Sequence, residues 1–199
     1  FLRACEKRKG ADPKNEREIQ WQLANALRSR PKMESLEHLR AVEWHKCFTE
    51  VGVSVTSEGT VGTGNIDLVV RRGKGANRGF LVFEVKGPGT KNVEATLKQA
   101  LRYATALAIE ANGGSERECD DYHAVFGSKG KKPLQIDAVI VMEDIPEVCR
   151  RAEKLVPQYH ADRGDSAINR IGVLLYKFDG KAVRAWRWLP GRDPRNTAV

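Results

Sequence analysis

Two short apolar runs each carry one carboxylate where the interior of a sheet should have none. Asn65-Ile66-Asp67-Leu68-Val69-Val70 and Phe80-Leu81-Val82-Phe83-Glu84-Val85-Lys86 are apolar at both odd and even positions, the pattern of strands covered on both faces. Such strands belong to the centre of a sheet with layers on either side. An ionised carboxylate buried there is costly unless a cation or several donors satisfy it. Alternation along a strand puts Glu84 and Lys86 on one face, two residues apart. Pairing the two strands would bring Asp67 alongside, so that two acids converge with one lysine on an apolar sheet.

The rest of the chain supplies the layers. Asn15-Glu16-Arg17-Glu18 opens a helical pattern with Ile19, Leu23 and Leu27 on one face, and Pro31 stops it. A second helix is expected from about Glu34 to Thr49, with Leu36, Leu39, Val42 and Phe48 apolar. Val51 to Thr56 alternates like a half-buried strand. Arg71 to Gly79 reads as a glycine-rich, basic turn between the two carboxylate-bearing strands. After Gly87-Pro88-Gly89 a long helix is expected from Val93 to Ala111, closed by Asn112-Gly113-Gly114. Residues 115–133 are polar, with Gly127 to Pro133 a loop. A strand at Gln135–Met142, a helix from Pro146 to about Leu155, and a hairpin complete the chain. The hairpin joins Ile171–Phe178 to Lys181–Leu189 through Asp179-Gly180, a type I′ signal. The order α, α, β, β, β, α, β, α, β, β predicts one α/β domain on a mixed sheet over residues 14–190. Residues 1–13 are expected to form a flexible segment before it and 191–199 a tail.

Composition narrows the class. With 199 residues, 41% of them hydrophobic, the chain can bury one core of ordinary size, which excludes whole-chain disorder. No run approaches the roughly 18–20 apolar residues of a membrane span, and the first residues lack a signal-peptide core, so a cytoplasmic protein is expected. The chain does not begin with Met, which fits a piece of a longer parent. The four cysteines, Cys5, Cys47, Cys119 and Cys149, make no CxxC pair and read as reduced thiols. Lys plus Arg outnumber Asp plus Glu by 34 to 26, a net charge of +8, which is compatible with a polyanionic partner.

Asp67, Glu84 and Lys86 suit a divalent cation. Mg²⁺ takes hard oxygen ligands and binds one or two carboxylates while keeping several waters. It acidifies a bound water and neutralises charge on a phosphoryl oxygen, and a neighbouring lysine can orient the nucleophile or stabilise developing charge. The competing account makes Glu84–Lys86 a strand-end ion pair and Asp67 a turn residue. Gln99 and Tyr103 lie four apart on one face of the next helix, where an amide and a phenol can bond a phosphate or hold the lysine. Other motifs carry less. Gly62-Thr63-Gly64 precedes a strand and lacks the third glycine of a dinucleotide loop, and no GxxxxGK[ST] occurs. Cys119, Asp120, Asp121 and His123 fit no zinc spacing; His38, His45 and His160 have no partner at informative spacing. Trp186-Arg187-Trp188 alternates as an outer strand with one covered face would.

Ile66-Asp67, Glu84-Val85-Lys86 and Gln99-Ala100-Leu101-Arg102-Tyr103, in that order, resemble the PD-(D/E)XK nuclease superfamily. More narrowly they resemble its RecB-like branch with the QxxxY motif, and the N-terminal nuclease domain of type I restriction-enzyme motor subunits. The similar stretch runs from about Ser57 to Ala108. The resemblance implies a restriction-endonuclease-like αβββαβ core, with a central mixed sheet flanked by helices and extended here by a C-terminal helix and hairpin. It also implies hydrolysis of DNA phosphodiesters that depends on Mg²⁺ or Mn²⁺. Asp67 and Glu84 would be metal ligands, Lys86 catalytic, and Gln99 and Tyr103 would contact DNA or support the site. Ile66 stands where the motif has proline. The family adds a glutamate from the first core helix; Glu16 is the first choice here and Glu43 the alternative, with Glu18 and Glu58 behind them. Arg71, Arg72, Lys74 and Arg78 would meet backbone phosphates from the turn between the two strands, or else Lys129, Lys131 and Lys132 would from their loop. The expectation is thus a nuclease domain of a larger repair, recombination or defence protein, its oligomeric state open. A catalytically inactive module for nucleic-acid binding or scaffolding is the alternative, and an unrelated α/β enzyme bearing an ExK triplet is more remote.

Overall fold

Six strands form one mixed sheet in the computed structural model, which describes residues 13–28, 42–57, 60–72, 79–113, 135–161 and 168–189. The elements in chain order are α1 (Pro13–Arg28), β1 (Val42–Ser57), β2 (Thr60–Arg72), β3 (Gly79–Val85), α2 (Val93–Gly113), β4 (Gln135–Glu143), α3 (Pro146–Ala161), β5 (Ile168–Phe178) and β6 (Val183–Leu189). Spatial order follows chain order from β1 to β6. The pairs β1–β2, β2–β3 and β5–β6 are antiparallel, whereas β3–β4 and β4–β5 are parallel. Each parallel step is bridged by a helix, α2 for the first and α3 for the second, as parallel neighbours require.

Alternation along the strands sorts the core into two layers. Phe80 and Val82 face α2 and α3, where they join Leu97, Ala104, Leu107, Val148 and Ala152. Leu81, Phe83 and Val85 face the opposite side, where α1 supplies Ile19, Leu23 and Leu27. β3 is buried along its whole length, as its unbroken apolar run predicts. Asn92 caps α2, its Oδ1 accepting from Ala95 N at 3.1 Å. Among the described residues, no helix is long and apolar enough to cross a membrane.

Three expectations are corrected. The helix expected over Glu34–Thr49 is not there from residue 42 onward: Val42–Ser57 is a single strand paired with β2 along most of its length, and residues 29–41 lie outside the described residues. The helix reading yields because Cys47–Ser57 pairs with β2, whose Ile66, Leu68, Val69 and Val70 are buried. The final hairpin turns through four residues rather than two, because Phe178 pairs with Val183. Asp179 Oδ1 accepts from Lys181 N at 3.0 Å and Ala182 N at 2.9 Å, with Gly180 at φ 90°. Those two amides, aided by Arg184, hold the Asp179 carboxyl at about 2, below its ordinary value. Finally, α3 continues past Leu155 to Ala161 with Pro157 inside it; Val156 is buried and Tyr159 packs against the core, which keeps this extra turn attached. The Trp186–Trp188 alternation is as expected: Trp186 is buried, and the half-buried Trp188 ring lies over Gly172, leaving no room there for a Cβ.

Candidate active site

β2 and β3 pair as far as Leu68↔Phe83 and then part. Asp67 and Glu84 are the next residues on their strands, so both face the gap. Parting leaves the Val85 amide without a ladder partner, and Asp67 Oδ2 accepts from it at 2.6 Å. Glu84 is 1% exposed; its Oε1 accepts from Lys86 Nζ. Glu84 Oε2 is buried and has no hydrogen-bond partner among the described residues. β3 ends here too: Lys86 N donates to Val141 O at 2.9 Å as the last step of the parallel pairing with β4, and Gly87-Pro88-Gly89 turns away, with Gly89 at φ 79°.

Two residues of α1 reach this strand end. Glu16 Oε2 accepts from Gly87 N at 3.1 Å, and Gln20 Nε2 donates to Asp67 O. Opposite it on β1, between Thr49↔Leu68 and Val51↔Ile66, stands Glu50, a non-glycine residue at φ 53°. From β5, Tyr176 OH donates to Lys86 O at 2.7 Å. Tyr176 is fully buried, and its ring meets Trp186 edge-on at a centroid separation of 6.1 Å.

The acids act on one another. Burial lifts the Asp67 carboxyl from 3.8 to about 6; the Val85 amide and Lys86 oppose the rise, and the charges of Glu16 and Glu50 add to it. Burial lifts Glu84 further, to about 8, with the Asp67 charge next in importance and Lys86 only partly compensating. Burial also pushes the Tyr176 phenol far above its ordinary range, helped by Glu143 and Glu16, so it serves as a neutral donor. One lysine therefore faces three carboxylates, two of them strained toward protonation. Among the described residues no three His, Cys, Asp or Glu side chains are already gathered to hold a metal; each acid has one oxygen engaged, by Val85 N, Lys86 Nζ or Gly87 N respectively. The orphaned Glu84 Oε2 and the all-oxygen donor set nonetheless fit a hard divalent cation, with Asp67 and Glu84 to hold it.

The structure brings Asp67, Glu84, Lys86 and Glu16 together. Glu43 lies on β1, not on a helix, and Glu18 bonds Gln22 at 2.7 Å within α1. Gln99 and Tyr103 share the expected face of α2 and bond each other at 3.3 Å, with no bond to the three central residues among the described ones. Arg71 corrects an expectation. It is not on an exposed turn but inside β2, opposite Phe80 and 8% exposed, because the β2–β3 pairing continues to Arg72↔Gly79. The Arg72 side chain, Lys74, Arg78, Glu58, Cys119 to His123 and the loop bearing Lys129, Lys131 and Lys132 lie outside the described residues. Gln20, Glu50 and Tyr176 have roles here that no sequence motif announced. Nothing local in the sequence marked the Glu50 backbone. No protein-family model and no curated protein matches this chain.

Proposed function

We propose that this chain is a Mg²⁺- or Mn²⁺-dependent nuclease domain acting on DNA, built on a restriction-endonuclease-like core and belonging to a larger protein. The observation that carries the proposal is the convergence of Asp67, Glu84 and Lys86 where β2 and β3 part, with Glu84 Oε2 buried and orphaned. The succession α1-β1-β2-β3-α2-β4 supports the core assignment, and Glu16 supplies the acid from its first helix. When bound, the metal supplies an acidified water and neutralises charge on the scissile phosphate. Asp67 and Glu84 would hold it, with Glu16 beside them. Lys86, anchored at the end of β3, orients the attacking water or stabilises charge on the phosphoryl oxygens. Gln99 and Tyr103 contact DNA or support the site from α2, and Arg72, Lys74 and Arg78 meet backbone phosphates without reading sequence.

The test is cleavage of supercoiled, linear and single-stranded DNA with Mg²⁺, Mn²⁺ or EDTA. Asp67→Ala, Glu84→Ala and Lys86→Ala should each abolish metal-dependent cleavage in a protein that remains folded by circular dichroism. Undiminished cleavage by the Glu84 or Lys86 variant would overturn the mechanism. The second reading, a nucleic-acid-binding module without turnover, is favoured by the engagement of the Lys86 ammonium on Glu84. DNA binding with no metal uptake in an equilibrium titration would decide for it.

A further inference from the structure

The Lys86–Gly87 peptide is held from both sides by residues remote in sequence. Its carbonyl accepts from Tyr176 OH at 2.7 Å, and its N–H donates to Glu16 Oε2 at 3.1 Å. The amide on the other side of Lys86 is tied to Val141 O at 2.9 Å. β5 is two strands from β3 in the sheet, so the Tyr176 side chain spans β4 to reach this carbonyl. A buried phenol needs an acceptor somewhere, but this acceptor lies on the one peptide that joins the site lysine to the amide holding Glu16. The ring itself is fixed by its edge contact with Trp186, which makes the hydroxyl a rigid stop rather than a mobile one.

We propose that Tyr176 is a positioning residue of the site: by fixing the Lys86–Gly87 peptide, it sets the lysine and the Glu16 carboxylate at one separation across the strand end. The proposal rests on the nuclease reading. Tyr176 touches no reacting atom; it acts through the backbone that carries Lys86 and that anchors Glu16. A misplacement of such groups by a fraction of an ångström up to about 1 Å lowers turnover without weakening the remainder of substrate binding.

The test compares Tyr176→Phe, which keeps the ring and its contact with Trp186, with Asn169→Ala. The latter removes a side-chain bond to Asp137 at the opposite end of the sheet and controls for lost stability. In Tyr176→Phe, kcat on DNA should fall about ten- to hundredfold while KM stays within about twofold. Independently of activity, hydrogen exchange at the Gly87 amide should quicken by about tenfold while the amides of α3 are unchanged. The Asn169 variant should show neither effect. Wild-type exchange at Gly87 in Tyr176→Phe overturns this proposal alone, as does a kcat loss matched by the Asn169 control. Absence of cleavage by the wild-type protein with every metal overturns the nuclease reading, and this proposal with it.

Discussion

Replacing Asp67 by Asn removes a charge from the site yet keeps an acceptor for the Val85 amide, so it isolates the electrostatic cost of the acid. The carboxyl is lifted from 3.8 to about 6 by the fold. The native state therefore holds this proton more tightly than the unfolded chain does. Between about pH 4 and 6 the unfolded chain has lost the proton and the native state has not, so wild-type stability falls as pH rises, and the loss is complete above about 6. Every tenfold gain in proton affinity is worth about 1.4 kcal/mol, so the native state's tighter hold on the proton sets a ceiling of about 3 kcal/mol. Asp67 is only half-buried, and solvent screening reduces this to about 1–2 kcal/mol. Asp67→Asn should thus match the wild type near pH 4 and exceed it by about 1–2 kcal/mol at neutral pH, a rise in Tm of roughly 2–8 °C for a chain of this size. The gap should widen a little further toward pH 8, because the Asp67 charge also helps to hold Glu84 up. The assay is urea and thermal unfolding in EDTA across that pH range. Saturating Mg²⁺ should then reverse the ranking, since a ligand at about 100 times its Kd adds about 2.7 kcal/mol to the wild type alone. A gap that does not change with pH, or an Asn variant less stable at neutral pH, would refute the reasoning. It would mean that Val85 N and Lys86 more than repay the burial of the charge.

Glu16→Gln should lose more metal-dependent cleavage than Glu43→Gln, because Glu16 bonds Gly87 N and acts on both buried acids; parallel initial-rate measurements decide it, and the opposite order would detach α1 from the chemistry. Glu50→Gly should stabilise the protein by about 0.5–1 kcal/mol in urea unfolding, since glycine relieves the φ of 53° and gives back part of the gain as chain entropy. A clear loss of stability would show that the Glu50 side chain repays its own strain. Replacing Arg72 and Lys74 together with Ala should flatten the plot of log K against log salt for duplex DNA by up to about two units. Fluorescence anisotropy with Ca²⁺ in place of Mg²⁺ measures this, and an unchanged slope would make these residues solubilising charges.

Much of the sheet was legible because burial on both faces leaves a signature within a few residues. The unbroken apolar runs of β2 and β3 mark the centre, and the Asp67 and Glu84 interruptions mark the strand end where the candidate site lies. The helices α1 and α2 announce themselves by one apolar face and by a clear stop or cap. Residues 42–49 were not legible, since isolated apolar residues such as Val42 and Phe48 can be buried by a helix or by a strand, and only pairing with β2, remote in the chain, decides between them. Arg71 shows the same limit: its glycine-rich surroundings read as a turn, whereas register with Phe80 buries it.

The sequence by itself determined which residue types meet the central strands and that Glu84 and Lys86 share one face; the register of β2 on β3 set Asp67 beside them. The tertiary structure alone brought the Glu16 carboxylate to the Gly87 amide, through a bond across 71 residues, and Tyr176 to the Lys86 carbonyl across 90. The physical reason is range. Alternation and periodicity act over one or two turns of chain, while the direction of a carboxylate or a phenol depends on which backbone groups the end of a ladder leaves free.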